Sequence, residues 1–341
     1  MYLSISQCSG ADASKLSSSI HVRSFCDNCQ HRTPRLIIAN PDAFARKMKK
    51  FSQDGADHML VITDFDRTLT PYYKQRKDSK DPLELESSSH GLLMTSTVLQ
   101  PQVCAGEQEL FAKFYPMEVS PALSAEEKLP FMKQWWKSAH ALLVEYKITK
   151  SQVVEAVALG SLSFRQGFHS LFRLLNDQRV PTLIFSAGLY DVIHTALEQE
   201  FSKEHQHINV ETSLSKLSTP SNVHVVSNMM RFDDHGVIEG FDGTLIHSLN
   251  KTARVLLDSS FWQQCQLEKR RNVLLLGDSQ GDVRMAEGLN ADEIIRVGFL
   301  NVHVEEALDE YLELYDVVLT CDASLLPVQM LIEQIVKSNK T

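Results

Sequence analysis

Short apolar runs that end in polar turns are the feature that most restricts the fold of this chain. The first run leads into "LVITDFD", and five more lie at residues 180–188, 222–232, 272–282, 294–299 and 316–322. Such continuous runs are typical of strands that are buried on both faces of a parallel sheet. Helical patterns, including residues 190–201 and 281–289, lie between several of them. Strands that alternate with helices predict an α/β fold with a doubly wound, mostly parallel sheet.

The stretch between the first two predicted strands has a different character, since residues 76–178 contain no convincing strand pattern. Ser124 and Glu127 have the spacing of a helical capping box, and apolar residues follow at helical intervals. We therefore predict a helical cap domain at 76–178, inserted into a core made of residues 36–75 and 179–341. A further pattern around His235 and Gly236 predicts a β-hairpin.

Composition excludes several classes of partner. The 341 residues carry a net charge of −9, which gives no general attraction to nucleic acid polymers or acidic membranes. No apolar run approaches the ~18 residues of a membrane span. Six scattered cysteines fit a reducing compartment. We expect a cytoplasmic protein that binds no membrane and is a monomer.

The first 35 residues are rich in serine and carry more basic than acidic side chains. One interpretation is an ordinary disordered tail. The alternative is a transit segment that directs the protein to a plastid or mitochondrion.

Two aspartates, Asp64 and Asp66, follow the first predicted strand. Residues i and i+2 of a strand point to the same side, so both carboxylates can face one site. A carboxylate at the tip of a buried strand is costly unless a partner compensates its charge. The pair therefore indicates a cation site.

Other polar residues lie at the ends of the following strands, where ligands bind in open α/β sheets. Ser186 ends an apolar run and precedes Ala187 and Gly188, which let the backbone approach a ligand closely. Three charged residues complete this set: Asp278, Asp282 and Lys251.

Phosphoryl transfer explains this combination of side chains. Carboxylate oxygens suit Mg²⁺, which is commonly held by one or two carboxylates together with substrate phosphate oxygens. One aspartate can attack phosphorus to form an aspartyl-phosphate, and a second carboxylate can act as acid and base. Ser186, its neighbouring amides and Lys251 would balance the charge of the phosphoryl group.

The segments "DFDRTLT", "FSAG", "NK" and "GDSQGD" resemble, in order, the four motifs of the haloacid dehalogenase superfamily. Longer stretches, such as "FAKFYPMEVSPALSAEEKLPFMKQWW" and "LLLGDSQGDVRMAEG", resemble the cytosolic type III pyrimidine 5′-nucleotidases. The resemblance covers roughly residues 36–335. It implies the superfamily's Rossmann-like core and the hydrolysis of nucleoside 5′-monophosphates with Mg²⁺.

The resemblance also implies a role for each motif residue. Asp64 would be the nucleophile and a magnesium ligand. Asp66 would be the acid/base, with its backbone carbonyl on the metal. Asp278 would complete the magnesium shell, and Asp282 would orient the metal or Lys251. Ser186 and Ala187, beside Gly188, would hold the phosphate.

Substrate choice is expected to come from the cap. Glu118 matches a glutamate that accepts a hydrogen bond from an exocyclic amino group of the nucleobase, and Ser138 matches another substrate contact. Trp135 or Trp136 could stack on a base, and His90 could approach from the connecting loop. The resemblance leaves open whether the base is a pyrimidine, as in CMP or UMP, or 7-methylguanine.

Two other functions remain open at this point. A nucleoside phosphotransferase would use the same aspartyl-phosphate but pass it to a nucleoside. A non-catalytic nucleotide-binding protein is disfavoured, because Asp64 and Asp66 are not needed merely to bind a nucleotide.

Overall fold

The computed structural model describes eight stretches of the chain: residues 33–75, 83–118, 120, 122–160, 162–206, 219–256, 262–263 and 265–337. Most of the predicted tail, residues 1–32, lies outside them. At the end of that tail, the carbonyl of Arg35 accepts a hydrogen bond from the Thr320 N–H at 2.9 Å.

The described residues form a mixed, mostly parallel sheet with helices between its strands, which confirms the predicted α/β class. The strands are β1 (Leu36–Ile38), β2 (Met59–Thr63), β3 (Thr182–Leu189), β4 (Val223–Phe232), β5 (Ile238–Asp242), β6 (Asn272–Gly277), β7 (Glu293–Leu300) and β8 (Val317–Thr320). Their order is β1-β8-β7-β6-β2-β3-β4-β5. The outermost pairs, β1 with β8 and β4 with β5, are antiparallel, and the pairs between them are parallel.

The α-helices fall into two groups. The helices are α1 (Pro41–Asp54), α2 (Gly91–Met94), α3 (Pro101–Glu118), α4 (Ala125–Glu145), α5 (Lys150–Gly160), α6 (Phe168–Asp177), α7 (Tyr190–Gln206), α8 (Val304–Leu314) and α9 (Leu326–Lys337). We call α2–α5 the helical insert; these helices stand between β2 and β3 in the chain, followed by α6, which packs on the core. The remaining helices lie beside the strands in sequence and cover the sheet.

Two hydrophobic clusters cover the two faces of the sheet, and the alternation of side chains along β2 explains why. Val61 points into a cluster with residues of α1, α6 and α9, while Ile62 points into one with residues of α8 and the segment after β6. Every residue of β2 is therefore buried, as expected for a central parallel strand.

The register of the central strands brings the ends of β2 and β6 level with the middle of β3. Thr63, the last residue of β2, pairs with Leu276 of β6 on one side and with Ile184 of β3 on the other. The residues that follow β2 and β6 therefore meet the last residues of β3 at one edge of the sheet.

The longest helix of the helical insert, α4, begins at the predicted capping box. The Glu127 N–H donates to Ser124 Oγ at 3.3 Å, and the Ser124 N–H donates to Glu127 Oε2 at 2.8 Å, which forms the capping box of α4. The last helix before β3, α6, packs on the core instead, with Ser170 Oγ donating to Gln329 Oε1 of α9 at 2.6 Å. The division of the chain at residue 178 stays a prediction.

The predicted hairpin is also confirmed, because β4 and β5 pair in an antiparallel register around Gly236. Its turn touches the helical insert: the Ile238 N–H donates to the Ile148 carbonyl at 2.9 Å. The Lys150 N–H donates to the carbonyl of Gly236 at 2.8 Å.

Two elements differ from the sequence-based expectation. Strand β1 was not predicted, because three residues are too few for a periodic pattern. The helix expected at 281–289 is a 3-10 helix at Gln280–Arg284. Asp282 explains the tighter turn, because its carboxylate accepts the N–H groups of Asp278 and Ser279 at the start of this segment.

Among the described residues, no helix combines the length and apolar character that a transmembrane crossing requires.

A buried guanidinium joins the loop after β2 to the ends of β7 and β8. Arg165 is 3% exposed and donates to the carbonyls of Arg67 and Thr68 at 2.5 and 2.8 Å. It also donates to Asn301 Oδ1 at 2.8 Å and to Asp322 Oδ1 at 2.7 Å. The five N–H donors of a guanidinium are fixed in one plane, so a single arginine side chain can bind these several oxygen acceptors at once.

We predict that Arg165→Met destabilises the protein by about 3 kcal/mol or more, because it leaves Asp322 and several carbonyls without their partner. Urea denaturation would measure the free energy of unfolding. As a control, Arg231→Met removes an exposed partner of Asp242 and is expected to change little. Equal effects of the two substitutions would contradict this account.

Candidate active site

The site is centred on Asp64, the first residue after β2. Its side chain is buried, and its N–H donates to the Leu276 carbonyl of β6 at 2.9 Å. This hydrogen bond continues the ladder between β2 and β6 by one residue. The carboxylate is therefore held by backbone pairing at the edge of the sheet.

Lys251 provides the positive charge at this edge. Its ammonium group is 6% exposed and donates to Asp64 Oδ1 at 2.5 Å and to Asp282 Oδ1 at 2.6 Å. Lys251 precedes a short 3-10 helix, whose Ala253 N–H donates to the Met285 carbonyl at 3.0 Å. We call residues 248–251 the lysine segment. The bond from Ala253 fixes this segment to the loop that carries Asp282.

The loop after β6 is shaped by Asp282. Its Oδ2 accepts the N–H groups of Asp278 and Ser279 at 3.2 and 3.0 Å and the Ser279 hydroxyl at 2.8 Å. Gly277 is required here, because a Cβ at this position would overlap the side chain of Asp282. With its other oxygen on Lys251, Asp282 holds both the loop and the lysine.

Two tyrosines of α8 hold the backbone of the same loop through their hydroxyl groups. The hydroxyl of Tyr311 donates to the carbonyl of Asp278, and the hydroxyl of Tyr315 donates to the carbonyl of Ser279 at 2.5 Å. The backbone that presents the Asp278 carboxylate is therefore fixed on both sides.

The site holds more negative charge than one ammonium group neutralises. Burial raises the pKa of Asp64 to about 7; Lys251 opposes this shift and Asp282 adds to it. Burial also raises the pKa of Asp278, with Asp64 and Asp282 contributing further. Burial would lower the pKa of Lys251, but the two carboxylates outweigh it, so its pKa is raised and it stays charged.

The donor set fits a hard cation. Asp64, Asp278 and Asp282 each offer one carboxylate oxygen, and these oxygens lie within 4.8 Å of one another. Oxygen ligands and excess negative charge are what a divalent ion such as Mg²⁺ requires. The carboxylate of Asp66 is not part of this group.

Asp66 is instead held by the loop that enters the helical insert. The Ser89 N–H donates to Asp66 Oδ1 and the Ser89 hydroxyl to Asp66 Oδ2, both at 2.6 Å. Burial raises the pKa of Asp66, and the two Ser89 hydrogen bonds oppose that shift. A carboxyl group with a raised pKa is suited to carry a proton.

The residues predicted to bind phosphate, 186–188, lie near the carboxyl end of β3, where the register with β4 shifts, and we call them the phosphate loop. Ser186 is buried, and its Oγ accepts the Gly188 N–H at 3.0 Å. Asn228 of β4 holds this loop, since its Nδ2 donates to the Ala187 carbonyl at 2.7 Å and to the Ile246 carbonyl at 2.8 Å. A Cβ at Gly188 would overlap Ser89 Oγ, so glycine permits the two loops to touch.

Glu118 connects the helical insert to the lysine segment. At the end of α3, its Oε1 accepts the Ser248 hydroxyl at 2.8 Å. Burial raises the pKa of Glu118, while Ser248 lowers it. Leu249 packs beside Ser248 against a cluster of Phe114, Met132 and Trp135.

The other four residues predicted to bind substrate lie in or against the helical insert. Trp135 is 8% exposed and packs in the cluster with Phe114, whereas Trp136 is half-buried. His90 lies edge-on to Trp136, with ring centroids 5.1 Å apart, and its Nε2 lies 2.9 Å from Glu107 Oε2. Ser138 is half-buried on α4.

Sequence reasoning missed three residues that shape the site, namely Ser89, Asn228 and Arg165. Asn228 left a signal, because a polar residue interrupts the apolar run of β4. Ser89 left none, since it lies in a serine-rich stretch with the composition of an ordinary loop.

Comparisons with known proteins find related sequences. The sequence model of the family described as pyrimidine 5′-nucleotidase (UMPH-1) matches residues 83–336. The 7-methylguanosine phosphate-specific 5′-nucleotidase of Rattus norvegicus is 35% identical over 305 residues, covering 89% of this chain and 93% of that protein. Its namesake from Mus musculus is 37% identical over 303 residues, covering 88% and 92%.

A solved structure is similar as well. The crystal structure of cytosolic 5′-nucleotidase IIIB bound to cytidine aligns with a TM-score of 0.75 and 29% identity. The alignment covers 89% of this chain and 95% of that one.

We predict that Lys251→Met destabilises the metal-free protein by about 3 kcal/mol at pH 8, because buried carboxylates lose their cation. The loss should be smaller at pH 5. Below the raised pKa of Asp64, about 7, that carboxyl is largely protonated and needs no partner. Urea denaturation in EDTA at both pH values measures this difference.

Lys203→Met is the matched control, because Lys203 pairs with Glu200 at the surface and lies far from these acids in the chain. It should change stability little at either pH. A loss for Lys251→Met that is the same at pH 5 and pH 8 would contradict the electrostatic explanation.

Proposed function

Because the chain belongs to the pyrimidine 5′-nucleotidase (UMPH-1) family and is a nucleoside monophosphate hydrolase, we propose that Asp64 is its nucleophile and Asp66 its acid/base. One observation carries this assignment: a buried carboxylate at the end of the central strand lies between an ammonium group and two further acids. The substrate is a nucleoside 5′-monophosphate.

Binding of the phosphate is assigned to the ends of β3 and the lysine segment. The Ser186 hydroxyl and the Ala187 N–H would donate to phosphoryl oxygens, and Lys251 would offset their charge. Gly188 contributes by its lack of a side chain, and its own N–H is bound to Ser186 Oγ.

The reaction then has two displacements at phosphorus. An Asp64 carboxylate oxygen attacks phosphorus, the bond from phosphorus to the nucleoside O5′ breaks, and Asp66 gives its proton to that oxygen. In the second step Asp66 takes a proton from water, whose oxygen attacks the aspartyl-phosphate. Phosphate leaves and the carboxylate of Asp64 is restored.

Mg²⁺ is the proposed cofactor. The carboxylates of Asp64 and Asp278, with the backbone carbonyl of Asp66, would hold it. It would supply the positive charge that this acidic site lacks and that the phosphoryl oxygens require. Asp282 is assigned to positioning, because both of its oxygens already accept hydrogen bonds from Lys251 and the loop.

For the nucleobase we propose a preference for bases with an exocyclic amino group, as in CMP and 7-methyl-GMP, over uracil, which has none. The support is Glu118, a half-buried acceptor whose carboxylate is oriented by Ser248. Ser138 is a second proposed contact. Of the two tryptophans, Trp136 is assigned to stacking, with His90 at its edge, because Trp135 is packed inside the helical insert.

We further propose that the helical insert is the cap of the enzyme, that the protein is a monomer, and that it works in the cytoplasm. The similarity to a cytosolic 5′-nucleotidase supports the last point.

The test is phosphate release from CMP, UMP, 7-methyl-GMP, GMP and AMP. We expect turnover with Mg²⁺, none in EDTA, and a loss of at least about 10³-fold for Asp64→Asn, which lacks the attacking oxygen anion. Added cytidine as an acceptor separates hydrolysis from transfer. A folded wild-type protein that releases no phosphate from any of these nucleotides would refute the proposal.

Glu118→Gln tests the base contact. The amide keeps one acceptor oxygen but loses the negative charge that strengthens a hydrogen bond from an amino group, and it gains a donor for the O4 of uracil. The ratio of kcat/KM for CMP over UMP should therefore fall about tenfold. Glu126→Gln, in the exposed first turn of α4, is the control. An unchanged ratio would remove Glu118 from base recognition.

A further inference from the structure

We propose that Ser89 is a positioning residue that holds the carboxyl group of Asp66 in place for proton transfer, and that the contact of His90 with the buried Glu107 fixes Ser89. This inference rests on the proposed role of Asp66 as the acid/base.

Ser89 contacts both oxygens of Asp66 through two different donors. Its backbone N–H reaches Oδ1 and its hydroxyl reaches Oδ2, each at 2.6 Å. The hydroxyl distance is typical of a hydrogen bond to a charged oxygen. Two donors on one residue fix the rotation of the carboxyl group as well as its position. The contact is shielded from water, because Ser89 is 0% exposed.

A hydroxyl suits a partner whose protonation changes during the reaction. It can donate to the carboxylate and, after rotation, accept from the carboxylic acid, so it stabilises both forms of Asp66. The backbone N–H keeps donating to the other oxygen in either state. A cationic partner would instead favour the carboxylate alone and hinder its protonation.

Ser89 is itself held by buried acids on either side. His90 Nε2 lies 2.9 Å from Oε2 of Glu107, which is 1% exposed on α3. Before Ser89, the buried Glu86 carboxylate accepts the Ser163 N–H at 3.2 Å. A five-residue segment anchored near both ends has little freedom to move Ser89.

The segment also lies against the phosphate loop. A Cβ at Gly188 would overlap Ser89 Oγ and would lie 3.2 Å from Ser186 Oγ. Ser89 thus lies between the acid/base and the residues proposed to bind the phosphate. Its hydroxyl is close to the reacting groups but is assigned no chemical step of its own.

The test compares Ser89→Ala and Ser89→Cys with wild type on two substrates, CMP and p-nitrophenyl phosphate. The alkoxide leaving group of CMP needs a proton, whereas p-nitrophenolate leaves without one. In single-turnover experiments, Ser89→Ala should slow cytidine release about tenfold or more and p-nitrophenolate release much less. Steady-state kcat for CMP should fall with little change in KM.

Ser89→Cys keeps the size of the side chain and a weak donor, so it should recover part of the cytidine rate. Glu107→Gln, which weakens the anchor, should give the same substrate-dependent loss to a smaller degree. Ser88→Ala is the matched control. Its hydroxyl accepts the Gly91 N–H and does not touch Asp66, so both rates should stay near wild type.

Equal losses on the two substrates, or no loss on CMP, would overturn the positioning role of Ser89 while leaving the proposed function intact. A wild-type protein that hydrolyses no nucleotide would overturn both. Full recovery of the cytidine rate in Ser89→Ala at raised substrate concentration would also overturn the positioning role of Ser89, because the residue would then act on substrate binding.

Discussion

The ion pairs of Lys251 with Asp64 and Asp282 are the contact on which the rest of the site depends. Burying a carboxylate without a partner destabilises a protein by more free energy than most single interactions contribute to its stability. Here three carboxylates lie at one edge of a buried sheet, and one ammonium group contacts two of them. The arrangement is tolerated because Lys251 is itself buried and contacts two of the acids directly.

The remaining excess of negative charge is functional in character. A site built only for stability would balance its charges, and this one leaves the pKa values of Asp64 and Asp278 raised. Asp282 differs from these two acids, because each of its oxygens already accepts a hydrogen bond from Lys251 or Ser279. Three acids within a few ångströms of one another therefore have different tasks, which their hydrogen bonds distinguish.

Much of this site follows from chain order. Asp64, Ser186 and Asp278 each follow an apolar run, and parallel strands must bring such positions to one edge of the sheet. The contact of Lys251 is less predictable, because it depends on the path of a segment between the hairpin and β6. Ser89 and Arg165 were not predictable from periodicity. Their partners are distant in the sequence and are met only through the conformation of irregular loops.

The adjacent tryptophans show a similar limit. Helical spacing requires Trp135 and Trp136 to point in different directions, but it does not tell which one faces the interior. The packing of α3 against α4 decides this, by placing Phe114 against Trp135.

One short segment ties the helical insert to the charged centre. Ser248 bonds to Glu118, Leu249 packs in the aromatic cluster of the insert, and Lys251 follows two residues later. Two residues of chain span at most about 7 Å. The insert therefore cannot be lifted as a rigid body while Lys251 stays in place, unless Leu249 leaves its cluster and Ser248 releases Glu118. The segment is thus a tether, through which the position of the helical insert and the position of the positive charge at the sheet edge change together.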